Sequence, residues 1–270
     1  MIPSALEPDQ QSNRWDDHVL VYEEVFEPFS TAFAELAIER LGARRGLHVL
    51  DVGAGSGGGA LALAARGHTV TAIDAAPRMI ARIKERAAGK SVSAEVMDGQ
   101  ALRYADDTFD AALSVFGVIL FPDAVRGLSE MRRVVRPGGR VAVVTWTEPQ
   151  HYELSAELRI AIDTVRPGSR PGALPAQLRF REREACATLF RSAGFADISI
   201  EVGSGDLVAP SAAWLADRIA FAPGMAVQLA SLAADRDKVL QQFVTSVEAK
   251  QGRGQVRFGG RAFVVSGNVT

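Results

Sequence analysis

The sequence has few of the residues from which disulfide bridges and metal sites are built. Its 270 residues include a single cysteine, Cys186, which excludes an internal disulfide framework and any cysteine-rich zinc site. The four histidines are His18, His48, His68 and His151, and none lies beside another at metal-ligand spacing. We therefore expect no dedicated metal site, and the unpaired thiol agrees with a reducing compartment.

Long apolar runs and an excess of charge of one sign are also missing. The longest apolar stretch, residues 111–121, is interrupted by Ser114 and Gly117 and is far shorter than the roughly 20 residues that span a bilayer. The first residues lack the basic patch and apolar core of a secretory signal. A formal net charge of −2 gives no support for nucleic-acid binding or for charge-driven membrane attachment. The sequence thus predicts a cytoplasmic protein without nucleic-acid or membrane partners.

Apolar residues are abundant, at 47% against 23% charged, which is enough to bury a sizeable core. They recur at helical spacing from Trp15 to Leu41, and short apolar runs then alternate with helical stretches. Such alternation indicates a parallel sheet with helices on both faces. The runs that predict strands cover residues 47–52, 69–73, 92–96, 109–115, 140–146, 196–202 and 261–269.

The glycine-rich turn after the first predicted strand is the strongest local signal. Residues 49–57 read Val-Leu-Asp-Val-Gly-Ala-Gly-Ser-Gly, and five glycines fall within residues 53–59. Glycine permits positive φ and lets a ligand approach the backbone, while free amides at a helix start favour electron-rich groups. With Asp74 further along the chain, the motif alone also satisfies a dinucleotide fingerprint, so a nicotinamide-dependent oxidoreductase stays open.

Two more acidic positions favour a different ligand. Asp51 lies two residues before Gly53, where a carboxylate suits an ammonium group and suits a pyrophosphate badly. Asp98 follows the third predicted strand, on the same rim of the sheet, where it could accept a hydrogen bond from an adenine amino group. Together with Asp74 they supply acids for an ammonium, a ribose and an adenine, and no second site for a nicotinamide is obvious.

Taken together, these motifs resemble those of the class I S-adenosylmethionine-dependent methyltransferases, in the group that includes ubiquinone/menaquinone and natural-product enzymes. The resemblance is strong over about residues 45–148, although Arg103 stands where the family usually has a proline. The segment 130–140, Glu-Met-Arg-Arg-Val-Val-Arg-Pro-Gly-Gly-Arg, is its most recognisable stretch. The other matching segments are 49–57, 72–74, 97–102, 109–114 and 189–202.

The resemblance implies an α/β fold with a Rossmann-like, seven-stranded, mostly parallel sheet. We expect one methyltransferase domain over residues 1–270, with a helical insertion before the last strand. Within it, residues 1–44 would form an N-terminal helical lid, residues 45–148 the cofactor-binding core, and residues 149–270 substrate-side elements with the last two strands. The implied activity is transfer of a methyl group from S-adenosylmethionine to a small-molecule acceptor.

The resemblance also implies a role for each cofactor-site position. Asp51 would lie close to the ammonium group, Asp74 would take the ribose hydroxyls, and Asp98 would bind the adenine amino group. Met79 and Phe116 could equally be ordinary core residues. The predicted cofactor-binding residues are Asp51, Gly53, Gly55, Asp74, Ala75, Met79, Asp98, Gly99, Gln100 and Phe116.

Methyl transfer requires mainly alignment and exclusion of water, and it needs a base only if the acceptor must lose a proton. His151, close after the fifth strand, is the candidate catalytic base, with an exposed loop histidine as the alternative. Aromatic and apolar residues of the lid and the insertion predict a pocket for an apolar or aromatic acceptor of quinone or natural-product type, with core packing as the alternative. The predicted substrate-pocket residues are Trp15, Tyr22, Trp146, Phe221 and Met225.

One other function stays open besides the oxidoreductase and the methyltransferase. The chain could bind S-adenosylmethionine without transferring its methyl group, as a regulatory or structural use of the cofactor. The inserted helices, at roughly residues 211–250, could equally form a homodimer contact.

Overall fold

The computed structural model describes residues 6–7, 10–42, 44–168, 175–221 and 223–270. Within them the chain forms a seven-stranded sheet flanked by helices. The strands are β1 (His48–Val52), β2 (Thr69–Asp74), β3 (Val92–Val96), β4 (Phe109–Val115), β5 (Val135–Trp146), β6 (Ala196–Ala209) and β7 (Val256–Asn268). The helices are α1 (Ser12–Asp16), α2 (Val19–Val25), α3 (Glu27–Arg40), α4 (Gly58–Ala65), α5 (Pro77–Arg86), α6 (Ala124–Val134), α7 (Glu153–Val165), α8 (Arg183–Ser192), α9 (Ala212–Ala216), α10 (Pro223–Ala230) and α11 (Arg236–Gln251).

The strand order is β3-β2-β1-β4-β5-β7-β6, and β7 runs antiparallel to both of its neighbours. The mostly parallel, Rossmann-like sheet predicted from the sequence is therefore confirmed. The order reverses between β1 and β4, which are hydrogen-bonded neighbours. Loops that leave the two strands diverge there, and the crevice at the carboxyl ends is where such sheets bind ligands.

Burial on both faces explains why the central strands are so apolar. In β1, Val49, Leu50 and Val52 are all fully buried, because helices cover the sheet on each side. The helix α5 begins at Pro77, which has no amide to leave unsatisfied in the first turn. Its buried residues are Met79, Ile80 and Ile83, the stripe that the sequence predicts.

The structure differs from the sequence prediction at several boundaries. The N-terminal region forms three helices rather than one, since the chain turns at residues 17–18 and again at Phe26. Strand β5 starts at Val135, which pairs with Phe109, so Pro137-Gly138-Gly139 lies inside the strand and not before it. Strands β6 and β7 are longer than predicted because they pair continuously out to Ala209 and Val256.

The predicted lid and insertion lie on the side of the sheet that carries the cofactor motifs. Helix α3 packs across β6, where the rings of Phe29 and Phe33 occupy the space left by Gly203, Gly205 and Gly260. Helices α9, α10 and α11 form the predicted insertion, and α11 packs against α7 and α9. The sequence also predicts a loose polar arm at residues 1–14 and a proline-containing loop or flap at 166–180, and both lie partly outside the described residues.

No helix within the described residues combines the length and the apolar character needed to cross a membrane.

Candidate functional site

A cavity of about 840 Å³ opens at the carboxyl ends of the parallel strands. The lid helices, the loops after β1 to β5 and helix α10 supply its walls. Aromatic rings dominate one wall: the centroids of Phe116 and Trp146 are 4.4 Å apart, and those of Trp146 and Tyr152 are 5.0 Å apart. Tyr22 and Phe26 of the lid extend this wall, with ring centroids 5.5 Å from each other. The cavity suits a ligand with a flat or apolar body.

The glycine loop adopts a backbone that other residues would not tolerate. Gly53, Gly55 and Gly57 have φ of +68°, +56° and +99°. A Cβ on Gly53 would lie 2.9 Å from the Cα of Gly117, so the loop also needs glycine for space. The hydroxyl of Tyr22 lies 3.3 Å from where a Gly55 Cβ would be, which brings the lid directly over the loop. The amides of Gly53, Gly55 and Gly57 already donate within the protein, to Ile73, Asp74 and Ala54, so what the loop offers a ligand is close approach to its backbone.

Asp51 lies beneath this loop, in a polar chamber of about 10 Å³ that Tyr22, Glu27 and Gly53 also line. The residue is 1% exposed, and its Oδ2 atom has no hydrogen-bond partner among the described residues. Burial, with a smaller contribution from the charge of Asp74, raises the pKa of Asp51 to about 7. A buried carboxylate with an unused oxygen is expected to attract a cationic group.

Asp74, at the end of β2, is committed to backbone amides. Its Oδ2 accepts a hydrogen bond from the Gly55 amide and its Oδ1 from the Ala76 amide, both at 2.9 Å. Burial raises the pKa of Asp74, and the amides of Ala76 and Gly55 oppose that rise. The side chain lines the cavity beside Ala75. Asp74 thus ties the glycine loop to the start of α5, and its remaining lone pairs can accept from hydroxyl groups.

Asp98, after β3, forms the third acidic position and is exposed on the cavity wall. Its Oδ1 accepts from the amide and the side-chain nitrogen of Gln100, at 2.8 and 3.1 Å. The side-chain oxygen of Gln100 accepts in turn from the amide of Asp123 at 2.9 Å. Asp98 keeps Oδ2 available, which an amino group could use.

Phe121 was missed by the sequence analysis, and it closes this part of the wall. Carbon atoms of its ring lie 2.4 Å from where a Cβ on Gly99 or on Gly127 would be. The ring therefore fits between two glycines that are 28 residues apart in sequence. The only sequence signal for this contact is that Gly99 and Gly127 both lack a side chain, which leaves room for one aromatic ring.

We expect Gly99→Ala to lower the free energy of unfolding by about 1–3 kcal/mol, because the added methyl group must displace Phe121. Gly99 does not have a positive φ, so the effect would come from packing alone. Gly254→Ala is the matched control, since a Cβ there meets nothing within 4 Å. Urea unfolding of both variants measures the difference. Equal stabilities would show that the ring can move aside at no cost.

The turn after β4 holds a bulky residue in an unusual conformation. Phe116 has a φ of +58°, which is rare for an aromatic residue and costs of order 1 kcal/mol or more. The turn is held by Ser114, whose hydroxyl donates to the Val52 carbonyl at 2.7 Å and accepts from the Val118 amide at 3.0 Å. This strain sets the ring of Phe116 against Trp146 in the cavity wall.

An ionic cluster behind the glycine loop was also missed by the sequence analysis. Glu27, only 8% exposed, receives both terminal nitrogens of Arg86 at 2.7 Å and the hydroxyl of Ser56. Arg86 also donates to the carbonyl of Ser56 at 2.8 Å. One turn away, Arg82 makes a bidentate pair with Glu23 at 2.6 and 2.9 Å. The cluster joins the lid to α5 and to the glycine loop, and pairs 59 residues apart have no local sequence signal.

The predicted cofactor residues lie around two adjoining spaces, the small chamber and the cavity. Asp51 lies in the small chamber, which shares Tyr22 and Gly53 with the cavity. Met79 is 2% exposed and packs with Trp15 and Tyr22, so it belongs to the core as well as to the wall. The predicted residues that line the cavity itself are Gly53, Gly55, Asp74, Ala75, Met79, Asp98, Gly99, Gln100 and Phe116.

The predicted substrate-pocket residues Trp15, Tyr22, Trp146 and Met225 also line the cavity, while the side chain of Phe221 lies outside the described residues. His151 is not among the lining residues. It ends a short 3-10 turn, Pro149–His151, which brings the neighbouring Pro149 and Tyr152 to the wall instead. The Nδ1 atom of His151 is buried and has no hydrogen-bond partner among the described residues. Its catalytic role stays a prediction that this geometry does not favour.

The two tyrosines of the wall are poor candidates for a base. Burial raises the pKa of both Tyr22 and Tyr152 well above the ordinary value of 10.0, and nearby Glu27 raises that of Tyr22 further. Both hydroxyls therefore stay protonated at neutral pH and act as hydrogen-bond donors. Among the described residues, no group of three His, Cys, Asp or Glu side chains is arranged to hold a metal ion.

Comparison with known proteins identifies relatives of the central region. A family model described as "Methyltransferase domain" matches residues 49–139. The uncharacterized protein Rv1405c of Mycobacterium tuberculosis is 39% identical over 133 residues, which are 48% of this chain and 47% of that protein. The demethylmenaquinone methyltransferase of Deinococcus radiodurans is 34% identical over 163 residues, which are 54% of this chain and 67% of that protein. The chain thus spans about half the length of the mycobacterial relatives.

Solved structures share the fold. The YcgJ protein of Bacillus subtilis has a TM-score of 0.56 at 19% identity and covers 87% of this chain and 97% of its own. The phosphoethanolamine N-methyltransferase 2 of Haemonchus contortus, solved with S-adenosylhomocysteine, has a TM-score of 0.58 at 19% identity, with 94% and 58% covered. The [4+2]-cyclase SpnF has a TM-score of 0.51 at 22% identity, with 88% and 80% covered. At these identities the likeness concerns the fold alone.

Proposed function

Because the chain belongs to the class I S-adenosylmethionine-dependent methyltransferases, we propose that it transfers a methyl group from S-adenosylmethionine to a small apolar or aromatic acceptor of quinone or natural-product type. The observation that carries the proposal is the unpartnered, buried carboxylate oxygen of Asp51 beneath the glycine loop. It lies next to an aromatic-walled cavity large enough for a cofactor and a second molecule.

The residues present fit the cofactor. Asp51 offers a buried negative charge to an ammonium group, and the glycine loop lets a ligand approach its backbone closely. Asp74 and Asp98, on the cavity wall, keep acceptor positions for ribose hydroxyls and an adenine amino group. The three acidic side chains belong to the carboxyl ends of three adjacent strands, since Asp51 lies in β1, Asp74 ends β2 and Asp98 follows β3, an arrangement that a pyrophosphate would not favour.

The chain's own residues contribute positioning more than chemistry. S-adenosylmethionine, when bound, supplies a methyl carbon that an acceptor nucleophile can displace in line from its sulfonium. The rings of Phe26, Phe116 and Trp146 offer flat faces that hold an acceptor and keep water out of the cavity. The protonated hydroxyls of Tyr22 and Tyr152 can donate hydrogen bonds that orient it. We assign no proton transfer to these tyrosines, since their raised pKa values keep both hydroxyls protonated near pH 7 and leave no tyrosinate to act as a base.

We expect calorimetric titration to show binding of S-adenosylmethionine and none of NAD. With hydroxylated aromatic acceptors such as naphthols and hydroquinones, the protein should release S-adenosylhomocysteine in proportion to methylated product. A protein that bound S-adenosylmethionine and released no S-adenosylhomocysteine with any acceptor would instead be a cofactor-binding protein without transfer. Binding of NAD with a change in NADH absorbance would support the oxidoreductase.

A further inference from the structure

A single basic residue, Arg261, lies on the cavity wall within the part of the chain that the structure describes. It is exposed, on strand β7, and neither an ion pair nor a hydrogen bond of its side chain occurs with any described residue. The nearby arginines behave differently: Arg181 has its Nε atom 3.8 Å from the Glu148 carboxylate, and Arg257 pairs with Asp206 at 2.7 Å. Arg261 therefore presents a guanidinium that no described residue neutralises.

The position of Arg261 is fixed by the sheet rather than by a loop. Strand β7 pairs with β5 in a register that places Ala262 opposite Trp146. The hydroxyl of the next residue, Thr147, donates to the Arg261 carbonyl at 3.0 Å. Because successive side chains alternate along a strand, Ala262 shares a face of the sheet with Trp146 and Arg261 lies on the other face. The cavity extends past the end of β5 and reaches both faces there, since Trp146, Thr147 and Arg261 all line it.

The wall combines two features that recognise different parts of one molecule. The aromatic rings offer faces to an apolar or aromatic body, and the guanidinium offers up to two parallel hydrogen bonds to a planar anion. The other charged wall residues are Glu7, Asp74, Asp98 and Glu148. Asp74 and Asp98 belong to the proposed cofactor site, and Glu7 and Glu148 are acidic. Arg261 is therefore the one positively charged group on the described wall that can select an anionic acceptor.

Building on the proposed function, we propose that the acceptor carries a carboxylate, or an anion of similar shape, which pairs with Arg261 while its aromatic body lies against Trp146 and Tyr152. The anion serves as an anchor and is not the group that receives the methyl. Neutral acceptors of the same shape would bind by their rings alone. Arg261 is thereby the residue that determines specificity for acidic over neutral acceptors.

Two probes that differ by one carboxylate test this proposal: 1-hydroxy-2-naphthoate and 1-naphthol. Their affinities are measured by quenching of tryptophan fluorescence in the protein loaded with S-adenosylhomocysteine. We expect the carboxylate to bind about tenfold more tightly to the unmodified protein, as one charge-assisted contact would give. That preference should weaken as sodium chloride is raised, because the contact lies at an exposed group.

Arg261→Gln should remove the preference and its salt dependence while leaving the affinity for 1-naphthol unchanged. Arg257→Gln is the matched control, since it removes the same charge from the same strand at a residue that does not line the cavity. Thermal melting of both variants checks that neither has lost its fold. When turnover is followed, the ratio of kcat/KM for 1-hydroxy-2-naphthoate to kcat/KM for 1-naphthol measures the same preference in each protein.

Equal affinity for the two probes, binding of neither, or a preference that survives in Arg261→Gln would each overturn the inference. These results leave the proposed function intact as long as S-adenosylmethionine binds. Failure of S-adenosylmethionine and S-adenosylhomocysteine to bind would instead overturn the proposed function, and calorimetry detects that without any acceptor.

Discussion

Asp51→Asn is expected to make the protein without cofactor more stable, and increasingly so as the pH rises. Burial raises the pKa of Asp51 from 3.8 to about 7, so the folded state keeps a proton that the unfolded chain releases above about pH 4. Ionisation of Asp51 in the unfolded chain therefore lowers the free energy of unfolding of the native protein between about pH 4 and pH 7. Asparagine has no charge to lose, and the amide of Ala60 can still donate to its oxygen.

The difference in stability between the variant and the native protein should widen by on the order of 3 kcal/mol from pH 5 to pH 8. Urea unfolding at a series of pH values measures it, and titrating groups that do not interact with Asp51 cancel in the comparison. Asp237→Asn, at an exposed position, is the control and should stay within about 0.5 kcal/mol at every pH. A constant difference across this range would mean that Asp51 is not held protonated in the folded protein.

The same substitution should weaken binding of S-adenosylmethionine by at least about tenfold at pH 8, because the buried charge that pairs with its ammonium group is gone. In the native protein the affinity should rise with pH between about 5 and 7, because the ionised form of Asp51 binds the ammonium group and the protonated form must first release its proton to the solvent. In Asp51→Asn this rise should be absent. Isothermal titration in two buffers of different ionisation enthalpy would also detect the proton released on binding.

Arg86→Met is expected to lower the free energy of unfolding by about 3 kcal/mol, the low end of the range for breaking a buried ion pair. Glu27, at 8% exposure, would lose both hydrogen bonds from the guanidinium and retain the one from the Ser56 hydroxyl. The side chain of Arg86 is 21% exposed, so water compensates part of the loss. Because the same cluster holds the glycine loop, the affinity for S-adenosylmethionine should fall as well.

Arg82→Met is the matched control one turn away on α5. Its pair with Glu23 is more exposed, at 30% and 22%, and should contribute at most about 1 kcal/mol. Adding Glu27→Gln to Arg86→Met should recover part of the lost stability, since no unpaired buried charge then remains. Equal losses for Arg82→Met and Arg86→Met, or no recovery in the double variant, would mean that the cluster does not act through the burial of Glu27. Urea unfolding of the four proteins provides all of these values.

Prediction from the sequence was accurate where the signal is local. The first four strands start or end within one residue of their predicted bounds, because buried parallel strands read as short apolar runs between glycines and polar residues. The predicted start of β5 was wrong. Val135 already pairs with Phe109, and this long-range contact overrides the turn preference of Pro137 and the glycines after it. The break between α1 and α2 at residues 17–18 was not predicted, because the apolar periodicity of the sequence continues across it.

The acidic positions at 51, 74 and 98 could be found from the sequence because each lies at or just after the carboxyl end of a strand, and the carboxyl ends of parallel strands share one edge of the sheet. The sequence by itself therefore determined the fold class and the proposed cofactor side of the site. The tertiary structure alone decided which groups are paired: Glu27 with Arg86, Phe121 between two glycines, and Arg261 with no partner among the described residues. Pairing depends on the register of distant strands and the docking of the lid, and neither leaves a periodic trace in the chain.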